Sequence, residues 1–347
     1  MLYVGMDVHR DSTVFCLFDP QAEPAAQYRT VTRSTTAEGI ETVLAPLAGQ
    51  CRVAFEVGTQ AQWIAGIVRP LARQVEVANP SRIPWLFRDG RKNDKLDARK
   101  LATLLYLKQL PQVHLPSLEV SAWRALINHR RTRVQRRTRI KNQIRAVVRT
   151  FGCRCPFKSL WTRSGLAWLK AQIFDRPREL MVRILLEELE ATDRGLKLVE
   201  EQLDAISAAQ PAVALLRTIP SIGPRTAEAI VAFTDRADRF GRSKQYASYF
   251  GMTPTQDSSG RVDRQGHISK RGPSVVRWVL CQAAHSIIRG RSALRTWFDR
   301  VYRGQRNRFK KAVVALGRKV LAIAYRMLME NKPYDNARVC GPTATAA

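Results

Sequence analysis

Acidic residues are scarce in this sequence. It holds 29 Asp and Glu against 58 Lys and Arg, a net charge of +29 over 347 residues. Such a surface repels basic partners and predicts a polyanionic one, of which nucleic acid is the commonest. Charge alone does not separate an enzyme from a ribosomal or architectural protein. Long apolar runs are also missing: with no stretch of about 18 apolar residues, no membrane span is predicted. The opening MLYVGMDVHRD carries an acid and no apolar run, and is not expected to be a signal peptide. Cysteine is sparse. Among Cys16, Cys51, Cys153, Cys155, Cys281 and Cys340 only Cys153 and Cys155 lie close together, as C-x-C, and no second pair follows. That excludes a zinc-finger spacing and a disulfide framework, and predicts reduced, mostly buried thiols in a cytoplasmic protein.

What is present is a chain 45% hydrophobic, enough for globular packing, and too long for one ordinary core. Residues 1 to about 112 read as α/β. Leu2–Val8 and Thr13–Phe18, separated by the polar turn His9–Ser12, form a hairpin pattern, and Tyr28–Thr32 supplies a third strand. Thr36–Leu47 has helical spacing. Arg52–Glu56 is a buried strand, Gln60–Ala72 a helix, and Gln74–Ala78 a further strand ended by Pro80. A polar, basic loop at Arg88–Asn93 precedes a helix from about Asp94 to Leu107. Strands alternating with helices predict a mixed sheet with helices packed on it. The expected domains are 1–115, a middle segment 116–209, and 210–347.

The middle segment is strongly divided by charge. Residues 116–160 hold 12 Lys and Arg and one acid, Glu119. Leu126, Ile127, Val134, Ile140, Ile144, Val147 and Val148 suit one face of a long helix, and Arg130, Arg131, Arg137 and Lys141 belong to the basic remainder. Acids for i,i+4 pairing are missing, so this ridge is expected to bind a phosphate backbone rather than stand as a solvated face. Residues 178–208 are acidic, and Leu185, Leu189, Thr192, Leu196, Val199, Leu203 and Ile206 alternate spacings of 4 and 3. This is a coiled-coil seam with one polar position, expected to join subunits, with a fold-back within the chain as the alternative. Thr218–Gly223 resembles a helix-hairpin-helix turn; the helix starting near Pro224 would offer free N–H groups, and Arg225, to a DNA phosphate. A plain helix–helix turn is the competing reading. Residues 261–330 are basic again, with 17 Lys and Arg against three acids. The two basic regions carry 25 of the 29 net charges, so the excess is localised as a binding surface requires.

Four acids stand out in the first domain. Asp7 ends the first strand, Glu56 ends another, and Asp94 and Asp97 sit i,i+3 on one helix face. Carboxylates converging at a sheet edge repel unless a cation lies among them, and oxygen-only ligands favour Mg²⁺ or Mn²⁺. Two such ions suit phosphodiester chemistry. Singly the acids have plainer readings: Asp94 as a helix N-cap, Asp97 as a partner of Arg91 or Arg99, and Asp11 as a turn residue.

The order Asp7 in VGMDVH, Glu56 in AFEVGT, and Asp94 and Asp97 in KNDKLDARKLA resembles the DEDD transposases of the IS-one-ten insertion-sequence family, the Piv-like RNA-guided recombinases. TIPSIGPRTAEAIVA, YASYFGMTPTQDSSG and HISKRGPSVVRWVLCQAA resemble that family's C-terminal transposase domain, so the likeness covers nearly the whole chain. It implies a RuvC-like, ribonuclease-H-type α/β N-terminal domain in which Asp7, Glu56, Asp94 and Asp97 hold Mg²⁺ or Mn²⁺. It implies a mostly helical remainder with a nucleophilic serine matching Ser259, with Ser258 adjacent. It also implies donor and target DNA, a structured guide RNA, and dimers or tetramers in which the serine domain of one subunit completes another's metal site. The host would be bacterial. On propensity alone, Asp-Ser-Ser-Gly is a turn. The basic residues Arg261, Arg264, Lys270 and Arg271 beside it suit a DNA backbone. Competing readings are a RuvC-like junction resolvase or nuclease using activated water, and a basic architectural protein with no chemistry.

Overall fold

The computed structural model describes residues 1–79, 93–259 and 262–336. Most of the Arg88–Asn93 loop, together with Arg91 and Arg261, therefore lies outside the described residues. The chain divides into two compact units, Met1–Leu118 and Glu119–Ala347.

The first unit is a five-stranded sheet with helices on both faces. Its strands are β1 (Leu2–Val8), β2 (Ser12–Phe18), β3 (Tyr28–Ser34), β4 (Cys51–Glu56) and β5 (Gln74–Ala78), in the order β3-β2-β1-β4-β5. The pairs β1–β2 and β2–β3 are antiparallel, whereas β4 runs parallel to both β1 and β5. Strand periodicity assigns the faces. Val4, Met6, Phe15, Val53 and Phe55 point one way, onto Ile40 and Leu44 of α1 (Ala37–Leu44) and Ile64 of α2 (Ala61–Val68). The opposite face carries Tyr3, Cys16, Phe18 and Ala54, covered by α3 (Asp94–Tyr106) through Ala98, Leu101, Ala102 and Leu105.

Helix α3 is seated unusually close to the sheet, and the cause is Gly5 in β1. A β-carbon at Gly5 would overlap the carbonyl oxygen of Ala98 and lie 2.6 Å from the amide nitrogen of Ala102. Glycine below, and alanines at i and i+4 above, let helix backbone rest on strand backbone.

Among the described residues the second unit is helical apart from one two-stranded antiparallel sheet. The long helices α4 (Leu118–Thr150) and α6 (Arg176–Ala208) run antiparallel, with the short α5 (Arg163–Lys170) between them in sequence. Arg130 meets Glu200 at 2.5 Å, Arg136 meets Glu188 at 2.7 Å and Arg137 meets Asp193 at 3.6 Å; as one number rises the other falls. The seam predicted in α6 is used within the chain: Leu189, Thr192, Leu196 and Leu203 are buried, and Leu185 and Leu189 share a core with Ile140, Ile144 and Val147 of α4. In this chain, then, the seam faces α4; the fold-back alternative describes it.

The remaining elements are α7 (Pro211–Leu216), α8 (Pro224–Thr234), α9 (Ser243–Tyr249), β6 (Pro254–Ser259), β7 (Val262–Ile268), α10 (Ser274–Arg289), α11 (Ala293–Tyr302) and α12 (Phe309–Glu330). Helices α8, α10 and α12 form the centre of the largest core, which Trp123, Ile127 and Leu203 join from the ends of the long pair. Arg124 of α4 donates to the carbonyls of Ala232 and Phe233, capping the end of α8. Among the described residues no helix is long and apolar enough to cross a membrane.

Gly5→Ala tests the seating of α3. Where space allows, alanine in a strand stabilises relative to glycine. Here it should instead destabilise the first unit by about 1–3 kcal/mol, the usual range for overpacking. Chemical denaturation of wild type and variant checks this, and an unchanged or raised midpoint would show that α3 does not rest on β1.

Candidate functional site

The parallel pair β1 and β4 sets two of the four acids side by side. Their last paired residues are Met6 and Phe55, and the next positions, Asp7 and Glu56, follow at the carboxyl ends of neighbouring strands. Ligands of open α/β sheets gather at that edge. Both acids share strand parity with the face that α3 covers, Asp7 with Gly5 and Glu56 with Ala54.

The start of α3 brings the other two. Asn93, not Asp94, is its N-cap: its side chain accepts from the amide of Lys95 at 3.0 Å. Asp94 is thereby released from capping and points toward Asp7. Asp97, one turn on, pairs with Lys100 at 3.4 Å rather than with Arg99, which stacks over the Tyr28 ring. Asp7 and Asp97 are mostly buried, with side chains 16% and 15% exposed.

The electrostatics of this edge are unfavourable for bare carboxylates. Burial pushes the Asp7 carboxyl above its ordinary range; His9 opposes that rise, while Asp94 and Asp97 add to it. Burial likewise raises Glu56, with further contributions from Asp7 and Asp97. Four carboxylates thus feel one another in a partly desolvated corner, with Lys100 on one of them. A divalent cation would relieve that repulsion, and the donor chemistry fits a hard ion.

A fifth residue belongs here that the spacing of acids did not reveal. His9 Nε2 lies 3.2 Å from Asp7 Oδ2 and 3.3 Å from Asp94 Oδ2. The three ligand atoms lie within 4.8 Å of one another. The signal was its place in VGMDVH, two residues after Asp7.

In the second unit Ser259 is the last residue of β6, its backbone paired with Val262 of β7; Ser258 pairs with Asp263 and Asp257 with Arg264. Turn propensity misled here, since Ser258 and Ser259 are in strand. Lys270 and Arg271 are exposed just beyond β7, with Lys270 in the left-handed region at φ 55°. Near the start of β6 is a groove of about 690 Å³ whose walls include Lys244, Trp297, Arg318, Lys319 and Gln256. Trp297 carries Lys319 over its ring.

The basic ridge of α4 is partly occupied. Arg130 and Arg137 pair with acids of α6, Arg131 donates to the Ser274 hydroxyl at 2.7 Å, and Lys141 sits over Trp161. The acids missing from α4 itself come from the neighbouring helix. Arg139, Arg145 and Arg149 remain exposed. Arg225, at the start of α8, is engaged by Asp204 and Glu228, so its guanidinium is spent on the fold. Glu228 is 1% exposed, and burial pushes its carboxyl up to about 7 despite Arg225.

Comparison with known proteins bears on both units. Residues 4–152 match a family model described as transposase, and residues 213–299 match one described as the IS116/IS110/IS902 transposase family. A protein of Sinorhizobium fredii named as a transposase, y4rJ, is 30% identical over 309 residues, covering 78% of this chain and 75% of that one. A Pseudomonas aeruginosa protein named as a family 20 transposase is 28% identical over 250 residues, 69% of this chain and 72% of the relative. The transposase of insertion sequence element IS1111A from Coxiella burnetii is 25% identical over 341 residues, 95% and 90% of the two chains.

Asp7→Asn should stabilise the metal-free chain at neutral pH. A raised carboxyl contributes stability below its unfolded value, and that contribution is lost as pH rises through the folded value. The variant's advantage should therefore grow with pH and vanish in acid, where wild-type Asp7 is already protonated. Thermal melts in chelator across pH 4–8 check this; a variant less stable throughout would contradict the crowding.

Proposed function

The chain belongs to the IS116/IS110/IS902 transposase family and is a DNA recombinase; on that premise we propose that it cuts and rejoins the strands of an insertion sequence with a metal-bound carboxylate quartet and a serine nucleophile. The observation that carries this reading is the meeting of Asp7 and Glu56 with α3, whose first turn bears Asp94 and Asp97, at the carboxyl edge of a β1–β4 parallel pair. The sheet order and this edge support a RuvC-like, ribonuclease-H-type first unit.

Asp7, Glu56, Asp94 and Asp97 would hold Mg²⁺ or Mn²⁺. Bound there, divalent ions supply Lewis-acid activation of the attacking oxygen and stabilise the charge on the leaving one. Asp7 and Glu56 are fixed by strand pairing, Asp94 and Asp97 by a capped helix, so the quartet needs little rearrangement to accept an ion.

Ser259 is the nucleophile of this reading. Its Oγ attacks the phosphorus of the scissile linkage, forms a phosphoserine ester and releases a deoxyribose hydroxyl; the reverse attack by another strand's hydroxyl reseals the DNA and frees the serine. The bond energy is conserved, so no nucleotide cofactor is needed. Ser259 ends a β strand whose neighbours in sequence, Arg261, Arg264, Lys270 and Arg271, suit the flanking phosphates. The exposed arginines of α4 and the basic groove near β6 are offered to the DNA and to a structured guide RNA, which would choose sequence by pairing while the protein reads backbone and shape. The chain would act as a dimer or tetramer.

The test uses DNA bearing the element's own junction, its flanking RNA and Mg²⁺. Wild type should yield a protein–DNA adduct that survives denaturation. Ser259→Ala and Asp94→Ala should each reduce it by 100-fold or more, on the order of 3 kcal/mol of barrier. Cleavage without adduct, indifferent to Ser259→Ala, would leave a metal-dependent nuclease using water.

A further inference from the structure

The orientation of His9 asks for an explanation that the acid quartet does not give. It occupies the turn between β1 and β2, and its backbone is pinned on both sides. Its amide donates to the Ser12 carbonyl at 3.0 Å, and its own carbonyl accepts from the Thr35 hydroxyl at 2.9 Å. Thr35 is held in turn by the buried Thr13 hydroxyl at 2.8 Å. The ring is therefore delivered by a fixed turn rather than by a free loop.

The ring edge is 39% exposed overall, yet Nε2 itself is buried and makes no aligned hydrogen bond. It faces two carboxylate oxygens at nearly equal distances, 3.2 and 3.3 Å. An imidazole N–H donates along one line and would satisfy one of them. A neutral nitrogen lone pair facing two anions is repelled by both, and a charged ring, though attracted to both, has one Nε2 hydrogen to share between them. A cation shared by all three atoms removes the conflict. Neighbouring ligands of an octahedral ion at about 2.1–2.2 Å are about 3.0–3.1 Å apart, close to the separations found here. Imidazole is also a softer donor than carboxylate, so its presence moves preference from Mg²⁺ toward a transition ion such as Mn²⁺.

We propose that His9 is a nitrogen ligand to the ion held by Asp7 and Asp94, and that it biases this site toward Mn²⁺ over Mg²⁺. The proposal rests on the metal-bound reading of the quartet and adds to it a residue outside the four acids. A pinned ring keeps Nε2 in place when the ion leaves, so the corner is preformed for it.

The experiment is Mn²⁺ binding to the full chain, followed by electron paramagnetic resonance with spin-echo detection of nitrogen coupling, and by displacement with Mg²⁺. Wild type, His9→Gln, His9→Asp and Asp94→Asn are compared, each checked for folding by circular dichroism. Wild type should bind Mn²⁺ with imidazole nitrogen coupling. His9→Gln should lose the coupling and bind Mn²⁺ about tenfold more weakly. His9→Asp should regain Mn²⁺ binding through an oxygen, stay free of coupling, and be displaced by less Mg²⁺ than wild type. Asp94-dependent binding without nitrogen coupling in wild type, or coupling that survives both His9 substitutions, would overturn the role of His9 and leave the quartet standing. Absence of Mn²⁺ binding, or binding indifferent to Asp94→Asn, would overturn both readings.

Discussion

The backbone contact between α3 and β1 over Gly5 is the constraint on which the candidate site depends. A sheet can place two acids at neighbouring strand ends by register alone, as β1 and β4 do with Asp7 and Glu56. It cannot bring in acids from a helix unless that helix lies close. Ordinary helix-on-sheet packing interposes side chains; glycine beneath Ala98 and Ala102 removes them. The first turn of α3 then arrives with Asp94 near His9 and Asp97 within the field of Asp7 and Glu56. The result is a corner where burial and like charge both oppose the carboxylate form, which is the electrostatic condition for holding a cation.

In the second unit the organising fact is charge complementarity between long helices. α4 is basic and α6 acidic, and the antiparallel pairing sets Arg130, Arg136 and Arg137 against Glu200, Glu188 and Asp193. Exposed ion pairs contribute little to stability. Their effect here is to fix register and to mask part of the ridge, while Arg139 and Arg149 are left facing solvent.

Much of the first unit was legible in the sequence because its strands are short, apolar and bounded by turn residues. Leu2–Val8 and Gln74–Ala78 match to the residue, and Asp94 starts its helix as predicted. Periodicity in α6 was also clear, but a seam does not name its partner; the acids and arginines facing each other across it do, and only folding aligns them. Arg225 read as a phosphate contact because Asp204, which engages it beside Glu228 of its own helix, comes from α6, distant in sequence. Asp-Ser-Ser-Gly read as a turn because β6 gains its strand from β7, not from its own composition. Ser259 was therefore singled out through resemblance alone. His9 was passed over because a lone histidine in a turn has no periodic signature; its meaning lies in the two oxygens it faces.

The central claim is that this corner of the sheet holds a divalent ion. Anomalous diffraction from crystals of the full chain soaked in Mn²⁺ tests it most directly. The account predicts a peak at the carboxyl ends of β1 and β4, about 2.1 Å from oxygens of Asp7 and Asp94. A peak elsewhere, with Asp7, Glu56, Asp94 and Asp97 left bare, would contradict it.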